Sequence, residues 1–458
     1  MRVFIYFSTL KLTALDITLD KKSSTEASIK VTLKESDYQP NVEEKVKDYA
    51  RKANIKGFRP GKVPASLIKK MYGKSIVVEE VNHILSKSLS EYIKKEDIQL
   101  IGEPLPDMDK AANIDWDNQK DFEFDYAIGM VDKFTYDLSK KQKVASYTIE
   151  LDKKGLDETI ENVRKQFGTT TNPEVSQEGD SFYGELKQVD GDLSNEGLIN
   201  WDDLDKKEQK TFKGAKPGDV IEFNIEKAFK DHHTAAHLLE IGHDKAKELK
   251  GKFQFTIKNI NRTEPAEMNQ DFFDKVFGKG AVNNEEEFNN KVKQTVEENY
   301  KRETEYFLDH SLREHFVKNT KIDIPENFLK DWLLRSNEGK VTQEDVDREF
   351  DEYVKSLKWD LIKNKVAEDN EIKVENDEVV DKAKSMILQQ LGGPGAAEQL
   401  KDHLDSFANN YLQAENGQNY MKVYSEVRDE KILSFIKEQV TLAEKKVDLE
   451  EFKKIASN

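Results

Sequence analysis

Residues Asn54–Pro64 read NIKGFRPGKVP. Two glycines, two prolines and three cations surround one phenylalanine, between two stretches with helical spacing. Glycine permits backbone angles that other residues avoid, and proline fixes its own φ near about −65°. The combination predicts a shaped turn with Phe58 at its tip. Before it, Gln39–Ala53 sets Val42, Val46 and Tyr49 at helical spacing. After it, a helix starting near Lys74 aligns Val77, Val81, Ile84, Leu85, Leu89 and Tyr92 in one apolar stripe. Further out lie strands. Leu12–Asp20 is one, and Ala27–Leu33 alternates Ala27, Ile29, Val31 and Leu33 with polar residues. Phe122, Phe124, Tyr126, Ile128 and Met130 repeat that period. The first 133 residues therefore read β-β-α-loop-α-β, an α+β domain.

The loop stands in a basic segment. Lys45 to Lys74 holds ten cations and one anion, Asp48, for a net of +9 in a chain of net charge −17. Residues 1–133 carry 22 cations and 22 anions, so the positive charge is concentrated and the acidic surplus lies beyond. Such a patch on an acidic protein is a docking site for a polyanion, or the solvated face of a helix. Arg59 and Lys62 suit phosphates or carboxylates, Arg59 bidentately. Phe58 either covers an apolar pocket on a partner, stacks on a base, or plugs its own loop.

The chain has 458 residues, which at about 150 per domain predicts about three domains. Hydrophobic residues make up 36% and charged residues 35%, a lean composition that suits an elongated multidomain molecule. There is no cysteine, which excludes disulfides, thiolate metal sites and cysteine nucleophiles. No apolar run approaches the roughly 20 residues that span a bilayer, so no membrane partner is expected. Val3–Phe7 is apolar but short, and reads as a short strand or a ragged start.

After a linker, 134–175, with one short strand, one helix (Leu156–Phe167) and a turn-rich end, residues 176–261 switch to short strands: Ser181–Val189, Val220–Phe229 and one marked by Phe253, Phe255 and Ile257. From 262 to 458 the chain reads as helical. Glu285–Asn319 is one long helix, Pro325 opens the next, and GGPG at Gly392–Gly395 breaks a later pair.

GFRPGKVP resembles the ribosome-docking signature of the trigger factor family of bacterial chaperones. The stretch IKKMYGKSIVVEEVNHIL that follows is similar to that family's next helix, IGEPLP at Ile101–Pro106 to its short proline-containing connection, and KIDIPENFL at Lys321–Leu329 to its entry into the C-terminal helical arms. The resemblance implies a ribosome-binding domain, 1–133, a small FKBP-like prolyl-isomerase-type module, 176–261, and all-helical chaperone arms, 262–458. It makes Lys56, Gly57, Phe58, Arg59, Pro60, Gly61 and Lys62 the loop that docks at the exit tunnel, against ribosomal protein and rRNA. Pro60 stands where many members have a lysine. The implied function is ATP-independent holding of nascent or unfolded polypeptides in the cytoplasm. Weak self-association off the ribosome is among the partner expectations.

An isomerase of this type needs an aromatic-lined pocket that favours the twisted amide. Phe182, Tyr183, Phe212, Phe223 and Phe255 are the candidates, and they equally suit the core of a β module. The apolar-Pro-Gly-Phe/Trp-Glu stretch of the active type is missing from KKEQKTFKGAKPGDVIEFN, so turnover is expected to be low. Client-binding candidates in the arms are Phe328, Trp332, Phe350, Tyr353, Trp359 and Met386, each equally suited to helix packing. His232, His233, His237 and His243 cluster, with His233 and His237 four apart, but no third ligand is evident, so no metal is expected. No G-x-x-x-x-G-K-[ST] loop occurs and no cofactor is expected. Two other readings stand beside the chaperone: a stand-alone prolyl isomerase whose arms recruit substrates, and an RNA-binding scaffold.

Overall fold

The computed structural model describes residues 15–59, 61–337, 339–391 and 403–457. Val3–Phe7, the start of the strand expected from Leu12, Pro60 and the GGPG break lie outside the described residues. The chain forms two compact units: Met1–Ala145 with Leu308–Ala443, and Ser146–Phe307 with Glu444–Asn458.

The first unit holds a four-stranded antiparallel sheet. Its strands β1 (Asp16–Lys21), β2 (Glu26–Leu33), β3 (Leu100–Pro106) and β4 (Phe122–Met130) run in the order β1-β2-β4-β3. The period-two pattern of β2 works as expected: Ala27, Ile29, Val31 and Leu33 are all buried, each contributing about 1.5–3 kcal/mol where the side chain is large. They pack against α1 (Glu35–Lys52) and α2 (Ala65–Lys95) through Tyr38, Val42, Val46, Ile68, Ile76, Val81 and Leu85.

Three expectations need correction here. IGEPLP is not a plain connection but most of β3. Gly102, at φ +72°, and Pro104 disguise it, and both are tolerated because β3 is an edge strand with a register shift. Helix α1 starts at Glu35, before Pro40, because the Lys34 backbone N–H donates to Asp37 and closes its first turn. Helix α2 starts at Ala65, nine residues ahead of Lys74, since Pro64 sets the extended backbone of its N-cap.

The arms of this unit are α11 (Glu326–Ser336), α12 (Gln343–Asp369) and α13 (Asn376–Gln390), the helices Leu404–Gln413 and Gln418–Gln439, and the last turns of α10 (Glu285–Asn319). Thr342 and Asp345 form a capping box that starts α12. Leu312, Phe316, Leu329, Ile362, Val366, Ile432 and Ile436 build the arm core, which continues into Ile101, Val131 and Phe134. A second cluster joins Val379, Ala383, Ala408, Leu412 and Val423. Helix α11 lies on the sheet face opposite α1 and α2. A Cβ at Gly129 would stand 2.4 Å from Phe328 Cδ1, and one at Gly102 would stand 3.0 Å from the Trp332 ring.

The second unit contains a five-stranded sheet. Strand β10 (Lys252–Glu264) is its hub, pairing with β6 (Thr169–Thr171), β7 (Ser181–Gln188) and β9 (Val220–Asn224), while β8 (Ser194–Asn200) borders β7. The sequence reading missed β8 because SNEGLIN is polar and buries only Ile199. It also missed β6, whose threonines lie in a turn-rich run. It carried β9 too far: Asn224 accepts from the Glu226 N–H and turns the chain into a short helix, Ile225–Ala228.

An ion pair between the buried Asp180, just ahead of β7, and the half-buried Arg262 ties β7 to β10. Asp180, 1% exposed, accepts from Arg262 Nε and Nη2 at 2.8 Å each, and from the Gln177 N–H at 2.7 Å. Asp180→Ala takes the acceptor from a backbone donor and leaves the Arg262 guanidinium only the Val175 carbonyl. The expected loss is about 3 kcal/mol of module stability. Hydrogen exchange of the β7 and β10 amides in the full chain measures it; a loss under about 1 kcal/mol contradicts the assignment.

Candidate functional site

The loop of residues 54–64 is anchored at both ends and open at its tip. Ala53 and Ile55 are half-buried against the core of the sheet and helices, and Val63 is buried in it. Two turns follow one another. The Phe58 N–H donates to Ile55 O at 3.0 Å, and the Lys62 N–H donates to Arg59 O at 2.9 Å. The third position of each turn is a glycine at positive φ, Gly57 at +98° and Gly61 at +78°. No side chain crowds Gly57, so the backbone angle alone calls for glycine there.

Phe58 is 39% exposed and is not among the side chains packed on the core. Lys56, Gly57, Arg59, Gly61 and Lys62 are exposed around it. A ring that plugs its own loop would be buried, so that reading fails.

The ten cations of the segment divide into two groups. Lys45 is held by Glu79 and the buried Glu80 at 3.0 Å each, Lys74 by Asp117 at 2.8 Å and Arg51 by Asp48 at 3.6 Å. The hydrogen bond to Glu79 raises the Lys45 ammonium above the ordinary lysine range, against the opposing cost of desolvation. Among the described residues, Lys47, Lys52, Lys56, Arg59, Lys62, Lys69 and Lys70 have no ion-pair partner within 4.0 Å, and all are exposed. The charge available to a partner is therefore that of seven side chains, and it brackets Phe58.

Sequence reasoning missed three exposed apolar side chains on the flanking helices: Tyr49, Met71 and Tyr72. Tyr49 was expected in the buried stripe of α1. The buried side of that helix is Tyr38, Val42, Val46 and Ala50, so Tyr49 is rotated off it by about one residue, near 100°. The strict four-residue step from Tyr38 was the signal.

The isomerase candidates are mostly core. Phe182, Phe212 and Phe255 are fully buried and Phe223 is 4% exposed. Phe212, at the end of the helix Lys206–Phe212, meets Phe182 edge-on at 4.9 Å and lies about 6 Å from Phe223 and Phe255. Tyr183 alternates to the outer face of β7, where its hydroxyl donates to Glu196 at 2.9 Å. As placed, these five rings do not line one open pocket.

The client candidates are likewise drawn into packing. Phe328, Phe350 and Trp359 are buried, while Trp332 and Tyr353 are half-buried against the arm core. Met386 leans on the second cluster. Among the described residues of 262–458 the exposed large apolar side chains are others: Tyr306, Leu391, Phe407 and Met421. Among the described residues no helix is long and apolar enough to cross a membrane.

Comparison with known proteins agrees with this layout. A family model described as "Bacterial trigger factor protein (TF)" matches residues 15–163, "Probable trigger factor, FKBP-like domain" matches 170–265, and "Probable trigger factor, C-terminal domain" matches 304–456. A trigger factor of Francisella tularensis subsp. mediasiatica is 23% identical over 95% of this chain and 96% of its own length. One of Chloroherpeton thalassium is 24% identical over 91% and 94%. One of Salinibacter ruber is 21% identical over 83% and 85%. With three family domains matched in order along nearly its whole described length, the chain belongs to the trigger factor family, ribosome-associated chaperones of nascent polypeptides.

Proposed function

We propose that this chaperone anchors itself through the loop at Lys56–Lys62, which docks at the ribosomal exit region against both protein and rRNA. The observation that carries the reading is the exposed ring of Phe58 among seven cations without partners. Lysine and arginine supply the electrostatic, salt-sensitive part of the attachment. Phe58 supplies an apolar contact in the place where the attachment is specific, and Arg59 can grip a phosphate or carboxylate with two parallel N–H groups. Pro60 stands where many members of the family have a cation, and Lys56 and Lys62 remain on either side of it. The acidic remainder of the chain is repelled by RNA, which favours one direction of approach.

Once anchored, the chain holds emerging or unfolded polypeptides in the cytoplasm without ATP. Leu391, Phe407 and Met421 are the arm side chains placed to meet a client, and the half-buried Trp332, Tyr353 and Met386 join them where packing loosens. Prolyl isomerisation is at most a slow accompaniment, because the candidate rings are occupied with one another. Weak self-association off the ribosome belongs to the same reading.

Co-sedimentation with ribosomes at graded salt tests this against an RNA scaffold. The expected result is binding that weakens as salt rises and exceeds binding to free rRNA of the same concentration by at least ten-fold. Equal affinity for free RNA would favour the scaffold instead.

A further inference from the structure

Two of the seven unpaired cations, Lys47 on α1 and Lys69 on α2, line one notch where those helices meet. The notch has a volume of about 200 Å³. Val42 and Val46, 2% and 6% exposed, make its floor. Ala65, the first residue of α2, lines it beside them and is itself exposed. Gln39 and Ser66 supply its uncharged polar edge, and Glu43 is the one anion among the described lining residues. The notch begins where the loop of residues 54–64 ends, because Ala65 follows Pro64 directly. The loop also lies back on α1: a Cβ on Gly61 would stand 3.6 Å from the Arg51 carbonyl oxygen.

An aliphatic floor between two free ammonium groups selects its occupant. A cavity of about 150 Å³ holds a benzene-sized group, so this notch has room for one leucine or one aromatic side chain. Lys47 and Lys69 have no carboxylate of their own chain within 4.0 Å among the described residues, so a partner's carboxylate beside that side chain finds both unpaired. Among the described residues no aromatic ring or arginine lines the notch to stack a base, and Glu43 repels a phosphate backbone that follows the surface closely. A polypeptide can instead offer Glu43 a backbone N–H. A second copy of the chain would bring two segments of net +9 together, against their mutual repulsion.

We infer that the notch between α1 and α2 seats one apolar side chain of an acidic polypeptide segment, borne by a ribosomal protein at the exit region, as a second contact beside the Phe58 loop. The inference rests on the docking reading above and extends it from the loop to the helices on either side. The two contacts are of opposite sense: Phe58 projects from this chain, and the notch receives. Together they fix the rotation about the loop tip, which a single ring leaves free.

The test is co-sedimentation of full-chain variants with purified ribosomes, and separately with deproteinised rRNA, at physiological ionic strength. Ala65→Tyr and Ser66→Leu fill the notch and leave every charge in place. Both positions are exposed, so each variant should keep the parent's circular dichroism spectrum. Each is expected to bind ribosomes roughly ten-fold more weakly than the parent, and rRNA as the parent does. Lys47→Glu with Lys69→Glu should weaken ribosome binding more than the charge-matched Lys52→Glu with Lys70→Glu, whose cations lie outside the notch. Parental ribosome binding by both filling variants overturns the proposal while the loop reading stands. An equal loss on rRNA overturns the choice of a protein partner. Lost self-association with intact ribosome binding assigns the notch to a second copy and overturns it too. Parental binding by Phe58→Ala with Arg59→Ala, run alongside, is a separate failure: it removes the loop reading and the notch proposal with it.

Discussion

Replacing Gly129 by valine is expected to release helix α11 from the sheet it covers. The backbone of β4 comes so close to α11 that a single added carbon would lie 2.4 Å from Phe328 Cδ1, 2.8 Å from Phe328 Cε1 and 3.0 Å from Pro325 Cγ. Real carbon contacts are near 3.5–4.0 Å. Valine adds two further methyl groups, and Phe328, buried beneath α11, has no flexible end to move. Overpacking of this kind costs about 3 kcal/mol, at the upper end of the usual range. The adjoining close approach, where a Cβ on Gly102 would stand 3.0 Å from the Trp332 ring, is loosened at the same time. Limited proteolysis and amide exchange along Glu326–Ser336 provide the readout. Cleavage there should rise at least ten-fold while the second unit keeps its protection; unchanged protection of α11 contradicts the packing described. A multidomain chain does not unfold in one step, so a local probe is the appropriate one.

These glycines also show what a sequence reveals and what it conceals. The strands β2 and β4 were legible because both alternate cleanly, and burial on one face leaves that pattern no second register. The stripe on α2 was legible for the same kind of reason, with Val81, Leu85 and Leu89 all buried. Strand β3 was not, because its Gly102 and Pro104 are turn formers that an edge strand can tolerate, and edge position is a property of the sheet, not of the segment. The same holds for the aromatics. Phe212 and Phe255 look alike in a core and in a pocket, and only the mutual packing of the rings decides. At the loop of residues 54–64, residue types and charge put Phe58 at the tip of a turn but left open whether the ring plugs it. They could not say which cations stay free, since Lys45 and Lys74 meet their carboxylates across gaps of 34 and 43 residues.

The second large effect concerns attachment, and it also tests the central claim. Phe58→Ala combined with Arg59→Ala should leave the fold untouched. Both side chains are exposed, and neither residue is in the left-handed region that makes Gly57 and Gly61 irreplaceable. The two hydrogen bonds that shape the loop run between backbone groups and persist. What is lost is the apolar anchor and the bidentate cation, each a contact of the type that carries about 2 kcal/mol or more in an interface. Because such terms are not additive, the expected combined loss is about 3 kcal/mol, roughly 100-fold in affinity. The surrounding Lys47, Lys52, Lys56, Lys62, Lys69 and Lys70 remain, so residual binding should be weak and erased by modest salt. The measurement is co-sedimentation of the double variant and the parent with purified ribosomes at physiological ionic strength. The parent should pellet with ribosomes and the variant should stay in the supernatant at the same concentration; a variant that pellets as the parent does would show that this loop is not the anchor.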